Sequence, residues 1–168
     1  MVRHLFRTRQ GDIPCSTMPF QNRVTPGGDL IAVADRGTLT GNRGVLHDER
    51  GRIVRRVAVR RWITCVLVFG DRHRVVMTAK RYTHLFFLDE ATALAAGHRP
   101  CGECRKPDYQ RFRRCWAVAR EMRDPPGAEA TDHVLHHERA LVDGRRKTQP
   151  LEAGTLPDGV FVDWQNGA

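Results

Sequence analysis

The feature that most constrains this chain is a pair of cysteines, Cys101 and Cys104, within the run FFLDEATALAAGHRPCGECRKPDYQRF at residues 86–112. Two cysteines separated by two residues can turn both sulfurs toward one point, which supplies half of a tetrahedral zinc site. Before them, Asp89 is suited to cap a short Ala-rich helix and Gly97 to end it. The run therefore predicts a preformed loop at residues 101–104, the knuckle, between two helices.

The number and spacing of the cysteines indicate free thiols or metal ligands and not a set of disulfides. They number five, which is odd, their spacing is irregular, and the first residues carry no apolar export signal. We therefore expect a cytoplasmic protein. The longest mainly apolar run, residues 62–69, is too short to cross a bilayer, so no membrane partner is expected.

The charge of the chain favours a polyanionic partner. Lys and Arg number 28 against 19 Asp and Glu, so the formal net charge is +9, and most of the cations are arginine. Arginine binds phosphates through a planar fork of donors, so we expect a nucleic acid, with DNA favoured, as the partner. A solvated sheet face on which arginine stems cover apolar surface is the alternative. The candidate contacts precede the predicted sheet or follow the knuckle: Arg55, Arg56, Arg60, Arg61, Arg105, Lys106, Arg111 and Arg114.

Hydrophobic patterning predicts an α+β fold. Residues 62–69 and 74–78 are rich in β-branched and aromatic side chains on either side of a Gly-Asp turn, which is typical of a β-hairpin. Further strands are expected at 30–34 and 160–164, and helices at 106–123 and 131–141. We therefore expect an antiparallel sheet of about four or five strands, with the hairpin, the knuckle and two to three helices packed on one face.

Composition predicts how the chain is divided. Residues 1–28 carry several arginines and a Pro/Gly-rich turn but few apolar anchors, so we expect a flexible basic N-terminal segment there. Met18 is a possible alternative start. Residues 29–168 show no internal repeat and are expected to form a single α+β domain that includes the knuckle segment.

A second candidate site is the glycine-rich segment 36–51, which contains GNRGVLH. Its backbone amides could approach an anion closely with arginines at hand, and an irregular connection is the alternative. It lacks the GK[ST] ending of a P-loop, so no nucleotide cofactor is expected. In an enzyme, His47 would act as general base or metal ligand and Arg43 would hold a phosphate, with His136 and Glu138 as reserve acid/base groups.

The knuckle and the helix before it resemble a known family. An aromatic residue, a short Ala-rich helix, Gly, Arg-Pro-Cys, two residues and Cys follow one another as in the second half of the zinc-binding module of the Ada alkylation-repair protein. Here the pattern is carried by Phe87, Ala93, Gly97, Arg99, Pro100, Cys101 and Cys104. The stretches GNRGVLH, RWITC and RYTHLFFLDEATALAAGHRPC also resemble a family of small bacterial proteins. The Ada resemblance implies zinc as the cofactor and a link to DNA repair or processing.

The chain departs from the Ada module before the knuckle. In that module the first two ligands, one of them the methyl-accepting thiol, come from a Cys or His pair upstream, and this chain has no Cys-x3-Cys pattern there. Methyl transfer to such a thiol is therefore disfavoured. The missing ligands are expected to be Cys65 and His73, with His84 and His98 as the other candidates.

Three functions remain open. The favoured one is a zinc-supported protein that binds nucleic acid, DNA first, in repair or processing. The second is a small metal-dependent enzyme that acts on nucleic acid, as a nuclease or base-processing protein, through the GNRG segment and His47. The third is an accessory domain that binds another protein. A steep loss of affinity with salt would distinguish phosphate binding from apolar docking.

Overall fold

The computed structural model describes residues 19–71, 75–139, 147, 150–156 and 158–162. Over these residues the chain forms one open, mixed sheet of six strands and three α-helices, which confirms the α+β class. The strands are β1 Arg23–Val24, β2 Leu30–Ile31, β3 Leu39–Asn42, β4 Ile63–Val66, β5 Leu85–Phe87 and β6 Arg99–Pro100. The helices are α1 Glu90–Ala95, α2 Lys106–Ala119 and α3 Ala128–Arg139.

The sheet is mixed, whereas the sequence predicted an antiparallel one. Its strand order is β2-β1-β5-β3-β4-β6. The pairs β1/β2, β3/β4 and β3/β5 are antiparallel, and the pairs β1/β5 and β4/β6 are parallel. Parallel strands need a crossover connection. Helix α1 lies in the connection between β5 and β6, which crosses β3 and β4. The antiparallel prediction was wrong because it was based on a local hairpin.

The predicted hairpin between residues 62–69 and 74–78 does not form. Strand β4 ends at Val66, and the apolar side chains at 67–69 are exposed. The described part of the second segment contains no strand, and Met77 there has a φ of 59°, outside the extended region. Strand β4 pairs instead with β3 and β6, both of which are distant in sequence.

The central strand β3 lies inside the segment 36–51, which was predicted to be a glycine-rich loop. Gly41 belongs to β3, where a Cβ atom would lie 2.2 Å from the carbonyl oxygen of Ile63 in β4. Just before the strand, a Cβ atom on Gly37 would lie 2.3 Å from the carbonyl oxygen of Phe87 in β5. The loop prediction was wrong for β3 because these glycines permit close approach of neighbouring backbones instead of breaking the strand.

The predicted ends of α1 are confirmed. Asp89 is its N-cap, and the carboxylate accepts a hydrogen bond of 2.7 Å from the amide of Thr92. Gly97 follows the helix with a φ of 85°, and its amide bonds back to the carbonyl oxygen of Leu94 at 2.8 Å. This left-handed ending turns the chain directly into β6.

Helices α2 and α3 match predicted helices, with different bounds. Helix α2 contains Pro107 in its first turn and ends at Ala119, shortly before the chain turns through a positive φ at Glu121. Helix α3 begins at Ala128, before its predicted start. The described part of the segment 160–164 is exposed and forms no strand, so that prediction was wrong for these residues. None of the helices in the described ranges has the length and apolar character of a membrane span.

The core lies between α1 and the strands around β5. Its buried residues are Val24, Leu30, Leu46, Leu85, Phe87, Ala93 and Ala96. Strand β1, with the fully buried Val24, falls within the segment 1–28 that was predicted to be flexible, so the folded part begins before residue 29. Residues 1–18, including Met18, lie outside the described residues.

A buried ion pair joins α3 to the edge of the sheet. Arg99 in β6 donates from Nε and Nη2 to the two carboxylate oxygens of Asp132 in α3, both at 2.7 Å. The two side chains are 3% and 7% exposed. The guanidinium carbon of Arg99 also lies 5.0 Å from the ring centroid of Tyr109 in α2. One arginine therefore contacts both helices that follow the knuckle.

Replacing Asp132 with Asn should lower the free energy of unfolding by about 3–5 kcal/mol, because Arg99 would remain as a buried charge without a partner carboxylate. Urea unfolding measures this loss. The matched control is Glu138→Gln in the same helix, which breaks an exposed pair with Arg120 and should cost about 1 kcal/mol or less. Equal losses in the two variants would contradict the role given to the buried pair.

The substitution Gly41→Ala should destabilise the sheet by about 1–3 kcal/mol or more, because the new methyl group would overlap the backbone of β4. Gly127→Ala is the control, since a Cβ atom there meets no described atom within 4 Å. Thermal unfolding of both variants checks the difference. A Gly41→Ala protein as stable as the control would show that β3 and β4 are not so closely paired.

Candidate metal centre

Three cysteine side chains converge at the edge of the sheet. Cys65 lies in β4, Cys101 follows β6, and Cys104 ends the knuckle. Their Sγ atoms all lie within 4.8 Å of one another. Around a tetrahedral zinc ion with Zn–S distances of about 2.3 Å, sulfurs lie about 3.8 Å apart, so a small adjustment would bring the three thiolates onto one ion. The cluster is consistent with a metal such as zinc.

The parallel pairing of β4 with β6 brings the cluster together. Its register places Ile63 beside Arg99 and Thr64 beside Pro100. The next residues along the two strands are Cys65 and Cys101. The amide of Cys101 donates to the carbonyl oxygen of Thr64 at 2.8 Å, which extends the pairing to the start of the knuckle. A thiol from the sheet and a thiol from the knuckle therefore become neighbours.

The knuckle itself is tightly folded. The amide of Glu103 points at the Sγ of Cys101 at 3.5 Å, and the amide of Arg105 donates to the Cys101 carbonyl oxygen at 3.2 Å. A Cβ atom on Gly102 would lie 3.2 Å from the ring of Tyr109, so the first turn of α2 packs directly against the knuckle. This packing holds Cys104 on the same side as Cys101.

Hydrogen bonds among the three thiols shift their pKa values. A hydrogen bond from the Cys65 thiol lowers the pKa of Cys101 to about 5, and the amides of Cys104 and Glu103 act in the same direction. The same hydrogen bond, followed by burial, raises the pKa of Cys65. Burial is the main reason why the pKa of Cys104 is raised. Because a metal binds cysteine as the thiolate, a bound cation would displace the protons that remain on these thiols.

Arg105 fixes the knuckle from the other side. Its side chain is 7% exposed, donates to Thr64 Oγ1 at 2.8 Å and pairs with the carboxylates of Glu90 and Asp108. These partners belong to β4, α1 and α2. Arg105 was predicted to contact nucleic acid, and the structure places its guanidinium inside the protein, where it joins the elements around the cysteines.

A cavity of about 210 Å³ lies against the cysteine cluster. The sheet register explains its position, because Thr40 of β3 pairs with Cys65 on one side and with Phe86 of β5 on the other. Nothing in the sequence indicated that Thr40 and Phe86 line a cavity beside the cysteines. Only the strand pairing places them there. The lining residues are Thr40, Cys65, Val66, Leu67, Phe69, Val76, His84, Phe86, Cys101, Glu103 and Cys104.

The predicted histidine ligands have different positions. His84 lies in the cavity wall but not within the group of sulfurs that approach one another within 4.8 Å. His98 lies elsewhere, with its ring 5.2 Å from Trp62 and 4.6 Å from Phe87, and its Nε2 accepts a hydrogen bond from Arg43. His73 lies outside the described residues. The structure therefore brings together the three predicted cysteine ligands.

The predicted catalytic residues make separate contacts. Both ring nitrogens of the buried His47 are engaged, Nδ1 with Thr83 Oγ1 at 2.6 Å and Nε2 with the Thr78 carbonyl oxygen at 3.2 Å. Arg43 is 1% exposed and its guanidinium carbon lies 4.3 Å from the ring centroid of Trp62. These contacts hold the GNRG segment against the rest of the fold.

The two reserve acid/base residues lie on α3. The ring of His136 lies edge-on to Trp62 at 6.1 Å, and burial, together with the positive charges of Arg139 and Arg60, lowers the pKa of His136. Glu138 pairs with Arg120. Neither residue is part of the cysteine cluster.

Seven of the eight predicted nucleic-acid contacts are exposed, and Arg105 is the exception. Three of the seven have internal partners. Arg56 pairs with Asp29 at 2.7 Å, Arg111 lies 3.3 Å from Glu90, and Arg60 lies 3.3 Å from the ring of His133. Within the described ranges, no side-chain ion pair involves the other four, which are Arg55, Arg61, Lys106 and Arg114.

Comparison of the chain with protein-family models, with curated proteins and with solved structures found no match. The candidate site is therefore described from its geometry alone. Of the Ada resemblance, the structure supports only a cluster of three cysteines that could bind a metal.

Protein purified without chelator should contain about one zinc ion or a similar divalent ion per chain, because three converging thiolates bind such ions strongly. Elemental analysis measures it. The variant Cys65→Ser and the double variant Cys101→Ser/Cys104→Ser should both lose the ion and unfold at lower temperature. Cys115→Ser is the control, since Cys115 is exposed and lies outside the cluster. Metal retained in Cys65→Ser would contradict the assignment of Cys65 as a ligand.

Proposed function

We propose that this chain is a zinc-stabilised domain that binds nucleic acid, with DNA as the favoured partner. The observation that carries the proposal is the group of three Sγ atoms within 4.8 Å, contributed by strand β4 and by the knuckle, which lie far apart in sequence. Thiolate ligands in a tetrahedral arrangement favour zinc over harder cations. The ion would fasten the two-residue strand β6 and the start of α2 to the sheet.

The charge distribution supports the nucleic-acid partner. The chain carries a formal net charge of +9, and Arg55, Arg61, Lys106 and Arg114 extend into solvent without a carboxylate partner in the described part. Lys106 and Arg114 belong to α2, which begins directly after the knuckle. A metal that fixes the knuckle would therefore also fix cations that could contact phosphates. The resemblance of the knuckle to the Ada module points to the same class of partner.

The cavity favours a second candidate, a small metal-dependent enzyme. Catalytic zinc sites commonly have three protein ligands and leave one position for water or substrate, and here three thiols line a cavity that could hold a small molecule. The GNRG segment supports this candidate less, because the hydrogen bonds of His47 and the burial of Arg43 are explained by packing.

Binding of a labelled DNA duplex should weaken by about a hundredfold between roughly 50 and 200 mM salt if about four phosphates are contacted. Fluorescence anisotropy measures the affinity. Arg55→Ala/Arg61→Ala should reduce the slope of log affinity against log salt by about 2, since two phosphate contacts are lost.

The matched control for that double variant is Arg52→Ala/Arg120→Ala. It removes the same charge, but both arginines are paired, with Asp48 and Glu138. An equal change in slope would mean that net charge alone attracts the DNA. Absence of DNA binding in the zinc-loaded protein would refute the proposal and favour a protein partner.

A further inference from the structure

The candidate metal centre has one coordination position beyond those of its three cysteines. Three sulfurs supply three of the four ligands that a tetrahedral ion takes. A fourth nitrogen ligand would lie about 3.6 Å from each sulfur, and His84 is not placed among them. All three cysteines line the cavity, so the cavity is the space that the fourth position adjoins.

We propose that this position faces the cavity and is taken by a small aromatic nitrogen heterocycle, bound to the metal through a ring nitrogen. This inference rests on the metal centre proposed above. It assigns the cavity as a ligand site and gives the chemical class of the ligand.

The position of the cavity follows from the sheet. Cys65 pairs with Thr40, and Thr40 pairs with Phe86, so the three side chains form a row across three neighbouring strands. Cys101 continues the row at the knuckle, after β6. A ligand seated over Thr40 would therefore have the metal at one end and the ring of Phe86 at the other. The floor of the cavity is made of the most regular part of the fold.

The residues that line the cavity indicate the chemical class of the ligand. Apart from the three cysteines, five of the cavity's eight lining side chains are apolar, among them the rings of Phe69 and Phe86 and the side chain of Val76. A flat ring suits such walls, and a neutral nitrogen donor avoids burying a further negative charge beside three thiolates. The hydroxyl of Thr40 donates to the carbonyl oxygen of Leu85 at 3.0 Å, and its oxygen can still accept a hydrogen bond from an N–H on the ring edge. Imidazole-type nitrogen is also a ligand that zinc accepts readily.

The volume of the cavity and its opening to solvent both suit a small ring as the ligand. The cavity of about 210 Å³ has room for one small ring system. Leu67 and Phe69 in its wall are 50% and 37% exposed, so the ligand could enter from solvent at that side.

The test uses the full chain loaded with Co²⁺, whose visible absorption reports its ligands, and imidazole as the probe. Imidazole should change the d–d bands in a saturable manner while the thiolate charge-transfer band remains. Pyrrole, a ring of the same size without a basic nitrogen, should change nothing. Val76→Phe should weaken imidazole binding by about tenfold or more by filling the cavity, while the thiolate charge-transfer band of the Co²⁺ protein remains. Val75→Phe is the matched control, because Val75 is 80% exposed and does not line the cavity.

Several results would overturn the inference. If imidazole leaves the spectrum unchanged and His84→Ala or His73→Ala alters it, a protein side chain holds the fourth position. If Val76→Phe and Val75→Phe bind imidazole as the natural sequence does, the heterocycle binds outside the cavity. If Co²⁺ gives no thiolate charge-transfer band at all, the metal centre itself is wrong, and this outcome is distinct from the other two.

Discussion

The parallel pairing of β4 with β6 is the contact on which the candidate site depends. Strand β6 has only two residues, and the hydrogen bonds at its two ends join it to the β4 side: the amide of Arg99 donates to the Trp62 carbonyl oxygen at 3.1 Å, and that of Cys101 to the Thr64 carbonyl oxygen at 2.8 Å. So short an edge strand is weak on its own. Here it is held by the buried pair of Arg99 with Asp132, and a metal on the cysteines would add a second attachment.

The arginines of this chain fall into two groups, buried ones that hold the fold together and exposed ones. The net charge counts both groups alike. Arg43, Arg99, Arg105 and Arg139 are at most 7% exposed and bond to carbonyl groups, carboxylates or rings inside the fold. The guanidinium carbons of Arg43 and Arg139 both lie close to the ring of Trp62, at 4.3 and 4.4 Å from its centroid. The positive charge available to a polyanion is therefore smaller than the composition indicates, and it is limited to the exposed side chains.

Local signals in the sequence predicted the ends of helix α1 correctly. The Asp89 cap and the Gly97 ending depend on a few neighbouring residues, so they could be inferred directly. Long-range pairing could not be inferred in this way. Gly41 made the central strand resemble a loop, and the positive φ of Met77 breaks a segment whose composition resembles a strand. Two candidate metal ligands followed from their spacing, whereas Cys65 was one candidate among several until the β4/β6 register placed it beside Cys101.

The cysteine cluster and the cavity both depend on the same strand pairings. The β3/β4 and β3/β5 registers that align Cys65 with Thr40 and Phe86 form the cavity floor, and the β4/β6 register adds Cys101. A slip of one residue in β4 would turn Cys65 to the opposite face of the sheet and would remove a ligand and a wall together. The close approach that Gly41 allows between β3 and β4 therefore matters for the site as well as for stability, because it fixes the register from which both features follow.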